Sequence, residues 1–187
     1  RNVGTEAMSQ LVAEREANGE FADLTDFLKR LPQAVANKKQ MENLIRAGAL
    51  DSLHGNRREL LENVEAILAF AETVRQDAQS SQDSLFSGDY ALDKTVRMQP
   101  FEDWSGMDRL REEFESLGLY LSAHPLDGYA GRLDKLKVIT ANDLAAMIES
   151  RNLKPRVNLA GSVSAKQVRI SQRGNRFAFV QFTDQTG

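Results

Sequence analysis

The apolar residues of this chain change their spacing twice, and each change limits what the surrounding segment can fold into. Through residue 75 they recur at helical intervals. Met8, Leu11 and Val12 share a face with Arg15, and Phe27, Leu28 and Leu31 mark a second helix between Thr25 and Pro32. Met41, Leu44 and Ile45 mark a third. Asn18 and Gly19 predict a left-handed cap ending the first helix, and Gly48 is placed to cap the third. Leu60, Leu61, Val64, Ile67, Leu68, Ala71 and Val74 form the longest stripe. It predicts one continuous amphipathic helix, opened at Asn56 by a capping box with Glu59. From Gln76 to about Met98 the period is lost in a polar run with the composition of a linker. Met107, Leu110, Phe114, Leu117 and Tyr120 restore it, with a break at Gly118. Pro125 suits the start of a short helix, and Thr140 opens another through Leu144, Met147 and Ile148.

From Val157 onward the spacing falls to two. Val157, Leu159, Gly161 and Val163 alternate with polar residues, as do residues Arg176 to Thr183, and Ser171 to Asn175 carries a glycine between them. This predicts a β-hairpin, with Gly161 marking a bulge or bend. Two strands cannot close a barrel, so the alternation is expected to continue beyond Gly187.

Composition narrows the function classes. The chain has no cysteine, which excludes a disulfide framework and a thiolate zinc site and fits a reducing cytoplasm. His54 and His124 share no ligand spacing, and Glu112, Glu113 and Glu115 point in different directions on a helix, so no metal site is expected. No apolar run approaches the roughly 20 residues of a membrane-spanning helix, so no membrane partner is expected. The net charge is −3, yet the charges are segregated. Five bases face two acids between Lys38 and Arg58, and six bases face none between Lys154 and Arg176. Two basic faces on an acidic chain are compatible with phosphate binding or with plain solvation.

Several blocks, taken in order, resemble one family, the alpha subunit of bacterial DNA polymerase III. They are Arg1 to Gly4, Gly19 to Phe21, Leu24 to Phe27, Asn37 to Lys39, Leu44 to Asp51, Glu113 to Pro125, and Val157 to Gly187. The resemblance implies a mainly α chain with a C-terminal β segment. Residues 1–75 would be a tandem helix-hairpin-helix domain, 76–100 a linker, 101–153 a helical segment and 154–187 the start of an oligonucleotide-binding (OB-fold) barrel. The implied function is DNA binding and clamp docking in processive replication. The catalytic aspartates and magnesium of the parent polymerase would lie upstream, which leaves this segment without an active site or cofactor of its own. The implied partners are primed duplex DNA, single-stranded template, the β sliding clamp and other replisome subunits.

The resemblance assigns sites residue by residue. Arg1, Val3, Gly4 and Thr5 would hold phosphate at the first hairpin, and Arg46, Ala47, Gly48 and Ala49 at the second, through backbone N–H groups that read no bases. Lys38, Lys39, Arg57 and Arg58 would add charge. Asn2 and Glu6 stand where the family has glycine; asparagine tolerates the turn, whereas Glu6 would repel a phosphate. For Gly48 the alternative is a helix cap and nothing more. Gln82, Asp83, Ser84, Leu85 and Phe86 resemble the pentapeptide that docks on the clamp; the alternative is that Leu85 and Phe86 fold back onto the long helix. Phe177 and Phe179, with Arg169, Arg173 and Arg176, would form a stacking platform for single strands or else point into a barrel core. A different class of function, an RNA-binding helical adaptor with a barrel as in a tRNA synthetase, shares much of this pattern.

Overall fold

A cap residue stands at the start of five of the helices, and each accepts the backbone N–H three residues on. These are Asp23, Asn37, Asn56, Ser105 and Thr140. The computed structural model describes residues 4–80, 95–152 and 155–186. They divide into two compact units, Arg1–Gly118 and Leu119–Gly187. The first contains α1 (Thr5–Asn18), α2 (Leu24–Lys29), α3 (Lys38–Arg46), α4 (Arg57–Glu62), α5 (Val64–Ser80) and α6 (Gly106–Leu117). Its core is the apolar set anticipated from spacing: Phe27, Leu28, Met41, Ile45, Leu60 and Ile67 are all at most 1% exposed. Val96 and Met98, at the end of the polar run, pack against the same core.

The long stripe is two helices and not one. Asn63 interrupts it because its side chain is recruited elsewhere. Its amide donates to the carbonyls of Glu59 and Gln99 at 2.8 and 2.9 Å, and its oxygen accepts the Gln99 N–H at 2.8 Å. The capping box at Asn56 is only half formed, since the Glu59 carboxylate lies 2.9 Å from His54 Nε2. Gly19 has positive φ as expected, but with ψ of 176° it leaves the helix extended instead of left-handed. α1 buries only Ala7 completely and is tied down by Arg30. That guanidinium bonds Glu14, Asp26 and the Gly19 carbonyl and sits over the Phe21 ring. Helix α5 continues through Ser80, so the polar run beginning at Gln76 starts as helix. Residues 101–153, one helical segment in the expectation from the resemblance, fall partly in each unit.

The second unit holds a 3₁₀ turn (Asp127–Tyr129), α7 (Ala130–Lys135), β1 (Val138–Ile139), α8 (Ala141–Glu149), β2 (Asn158–Leu159), β3 (Ser162–Ile170) and β4 (Arg176–Thr183). β3 and β4 form the expected antiparallel hairpin, joined through Ser171 to Asn175 with Gly174 at positive φ. The strand expected from Val157 is interrupted. Residues 158–159 pair in parallel with β1, and β3 begins only after Gly161. There the Phe182 ring packs against the glycine so closely that a Cβ would lie 2.4 Å from it. The bulge follows, between Val163 and Ala165. The described strands form two two-stranded sheets, neither of them closed.

Two blocks far apart in sequence meet in this unit. Asp127 accepts the His124 N–H on one oxygen and the Gln185 amide on the other, each at 2.7 Å. His124 is buried and its Nε2 lies 3.4 Å from Thr183 Oγ1. Asp184 accepts the Ala141 N–H at the start of α8 and two hydrogen bonds from Thr186. Burial pushes the Asp184 carboxyl up, but the bonds from Thr186 and Ala141 outweigh it and hold the group below its ordinary value. Hydrogen bonds from the His124 N–H and then Gln185 likewise lower Asp127, and those from Thr140 lower Asp143.

Because these carboxyls are easier to ionise in the folded chain, their stabilisation is complete above the ordinary aspartate pKa of about 4. It is lost as the pH falls through the lowered values. Asp184→Asn should cost about 1–2 kcal/mol at pH 7, since an amide leaves one N–H donor facing NH₂. Urea melts at pH 7 and pH 3 should show that difference shrinking with acid.

Candidate nucleic-acid interface

At the first hairpin, α1 begins without a side-chain cap, and its first ladder bond runs from the Met8 N–H to the Gly4 carbonyl. No acceptor among the described residues meets the N–H groups of Thr5 and Glu6, and both residues are exposed. A helix start of this kind carries partial positive charge and free donors, the arrangement that holds an anion. The Glu6 carboxylate stands in the first turn and accepts a hydrogen bond from the Gln10 amide at 3.0 Å. Arg1 and Val3 lie outside the described residues.

The second hairpin corrects the expectation for Ala47, Gly48 and Ala49. Their N–H groups donate to the carbonyls of Asn43, Ile45 and Leu44 at 2.9–3.0 Å. In this structure these donors close the end of α3, with Gly48 at φ 77° just past the cap residue Ala47. The start of α4 is also occupied, with the Glu59 N–H on Asn56 and the Arg58 N–H on Asp103.

Arg57 is a correction of another kind. It is 5% exposed and lies against Gly48, inside the turn. Asp51 takes it through two hydrogen bonds of 2.8 and 2.7 Å, the Arg46 carbonyl through one of 3.1 Å, and Glu113 through one of 3.3 Å. Asp51 is the largest influence raising its pKa, against burial. A surface cation was expected here, and the turn encloses a buried one. The other bases remain accessible to different degrees. Lys38 and Lys39 are exposed, Lys38 paired with Glu65 at 2.6 Å. Arg46 is half-buried against Glu112 at 2.7 Å, and Arg58 is 42% exposed. Sequence reading missed Asp51, Asp103 and Glu112 as partners, because ion pairs across sequence leave no periodic signal.

In the β-hairpin, cross-strand register sorts the expected single-strand residues. Phe177 pairs with Arg169 and Phe179 with Gln167, so these four share one face. The rings meet edge to face at 5.5 Å, and the Arg169 guanidinium lies 5.6 Å from the Phe179 centroid. Phe177 and Phe179 are 42% and 58% exposed. Arg176 pairs with Ile170 on the opposite face, beside Val168, Val180, Val163 and Phe182, and Arg173 sits in the turn. The aliphatic residues of the hairpin therefore lie on the face away from Phe177 and Phe179, and both faces are exposed.

Gln82, Asp83, Ser84, Leu85 and Phe86 lie outside the described residues. Among those described, no cluster of three or more His, Asp or Glu side chains could hold a metal ion. No described helix is long and apolar enough to cross a membrane.

Residues 1–60 match the family model for the helix-hairpin-helix motif, which places the chain's first unit in that class. Beyond that motif, the whole chain aligns with the DNA polymerase III subunit alpha of Caulobacter vibrioides at 37% identity and of Thermus aquaticus at 36%. The same subunit of Neisseria meningitidis is 33% identical, again over the whole chain. The chain spans 16%, 15% and 16% of those three subunits. It is homologous along its entire length to one segment of the DNA polymerase III alpha subunit.

Gly48→Ala tests the buried turn. A Cβ at position 48 would lie 2.1 Å from Arg57 Nη2 on a backbone at φ 77°. The substitution should destabilise unit 1 by roughly 1–3 kcal/mol. Thermal unfolding followed by circular dichroism measures it, with Gly55→Ala, where space is open, as the neutral comparison.

Proposed function

We propose that this chain is the DNA-holding and clamp-tethering segment of a bacterial replicative polymerase. The observation that carries the reading is its full-length homology to one stretch of that polymerase's alpha subunit, beginning with a helix-hairpin-helix motif. The start of α1, from Gly4 to Glu6, binds a duplex phosphate through backbone N–H groups, with Arg1 and Val3 alongside. Lys38, Lys39 and Arg58 supply charge that follows the backbone without reading bases. The paired phenylalanines of β4, with Arg169, stack a single strand on the face opposite the aliphatic residues of the hairpin. Arg173 and Arg176 contribute charge at the turn end. Gln82 to Phe86 docks on the sliding clamp, Leu85 and Phe86 as apolar anchors and Gln82 as the directional hydrogen-bonding group. Polymerisation, its magnesium and the cytoplasmic setting belong to the whole polymerase.

Three measurements test these assignments. Lys39→Ala with Arg58→Ala should flatten the log–log salt dependence of duplex binding by roughly 0.9 per lost phosphate contact. Phe177→Ala with Phe179→Ala should weaken single-strand binding by about 1–3 kcal/mol per stacked base and leave duplex binding unchanged. Leu85→Ala with Phe86→Ala should remove roughly 1.5–3 kcal/mol of clamp affinity per side chain. Gln82→Ala should remove about 1–2 kcal/mol. A double Leu85–Phe86 variant that melts early and still binds the clamp assigns the pair to the fold and ends the docking proposal.

A further inference from the structure

Every base on the second hairpin face but one is either buried beyond reach, exposed to water, or paired with an exposed acid. Arg57 is enclosed, Lys39 is exposed, and the Lys38 partner Glu65 has a side chain 79% exposed. Arg46 is the exception. Its guanidinium meets the Glu112 carboxylate at 2.7 Å, with side-chain exposures of 31% and 16%. An ion pair in open water exchanges partners at little cost, whereas one partly withdrawn from water holds more firmly. Arg46 thus already has an anion seated where a phosphate would approach.

We propose that Glu112 sets the DNA affinity of this face by occupying Arg46 in competition with phosphate. The inference rests on the proposed duplex binding and adds a residue that limits it.

Helix α6 does not depend on Glu112 for its position. Glu113 bonds Arg57, Ser116 Oγ donates to the Asn43 carbonyl at 3.0 Å, Arg109 donates to the Gly55 carbonyl at 2.9 Å, and Leu110 is buried. Removing the Glu112 charge frees Arg46 without detaching the helix. An arginine released in this way adds one phosphate contact and one released counterion, so both affinity and salt dependence should rise.

The experiment is a double-mutant cycle on the full chain, with a fluorescent duplex titrated over a range of salt. Glu112→Gln should tighten binding roughly two- to fivefold, the worth of one exchanged ion pair, and steepen the log–log slope by about 0.9. Arg46→Ala alone should change the parent little. In the Arg46→Ala background the gain from Glu112→Gln should vanish. Unchanged affinity and slope in Glu112→Gln overturn the inference. So does a gain that persists without Arg46, which would be a general effect of net charge. A drop of about 0.9 in slope for Arg46→Ala alone also overturns it, because phosphate would then already have displaced Glu112. Should Glu112→Gln melt early, Glu112→Ser repeats the test. Lys39→Ala with Arg58→Ala separates the two levels. If that pair alters duplex binding while Glu112→Gln and Glu112→Ser do not, the inference fails and the proposed function stands. If neither it nor the cycle alters duplex binding, both fail.

Discussion

The first unit depends on the burial of one positive charge. Arg57 carries its guanidinium into the turn between α3 and α4, where water cannot solvate it, and an unpaired charge there would cost several kcal/mol. Asp51 offsets that cost with a two-pronged bond, and Glu113 and the Arg46 carbonyl complete the shell. Each partner comes from a different place: the residue before the turn, the residue after it, and a helix more than fifty positions away. One side chain therefore fixes the hairpin's shape and attaches α6 to it. Gly48 follows from the same arrangement, since the guanidinium occupies the space that a Cβ would need.

The second unit solves a different problem with similar means. A two-stranded hairpin buries little by itself and needs an anchor. Asp127 and Asp184 provide it, joining the His124 block, the end of β4 and the start of α8 through backbone and side-chain hydrogen bonds. The His124-Pro125 pair thus has a structural task. Its imidazole is buried, edge to face with Tyr120 and 3.4 Å from Thr183 Oγ1, and the His124 backbone N–H is held by Asp127.

Apolar spacing made the helices and the core legible. Met41, Ile45, Leu60 and Ile67 are buried because their intervals put them on inward faces, and the caps at Asn56 and Thr140 declare themselves by residue type. Spacing failed where a polar side chain overrode it. Asn63 lies within an unbroken apolar stripe and still divides the helix, since its amide satisfies residue 99 from another part of the chain. Charge was the least legible quantity. Arg57 and Arg58 are adjacent and identical in composition terms, yet one is enclosed and the other 42% exposed. For the β-hairpin, the alternation of Phe177 and Phe179 left open which face is core. The cross-strand register places Val163, Val168, Ile170, Val180 and Phe182 on the opposite face, and both faces are exposed.

The proposed division of labour has a physical logic. In the second hairpin the neutral donors are spent on the fold and the central arginine is enclosed, so it contributes charge but no phosphate cradle. The first hairpin contributes a helix start with free donors and little charge of its own. Neither alone would hold DNA tightly, and a net charge of −3 weakens both. Weak, sequence-blind contact suits a polymerase that must advance along its template, because each tight grip would have to be broken at every step. Under the proposed function, a peptide docked on a ring around the same DNA would do what affinity does not. It would convert escape into a local excursion and keep the effective concentration of the binding face high. Tethering and weak gripping would in this sense be one design, and Glu112, by holding Arg46 away from phosphate, would keep the grip on the weak side.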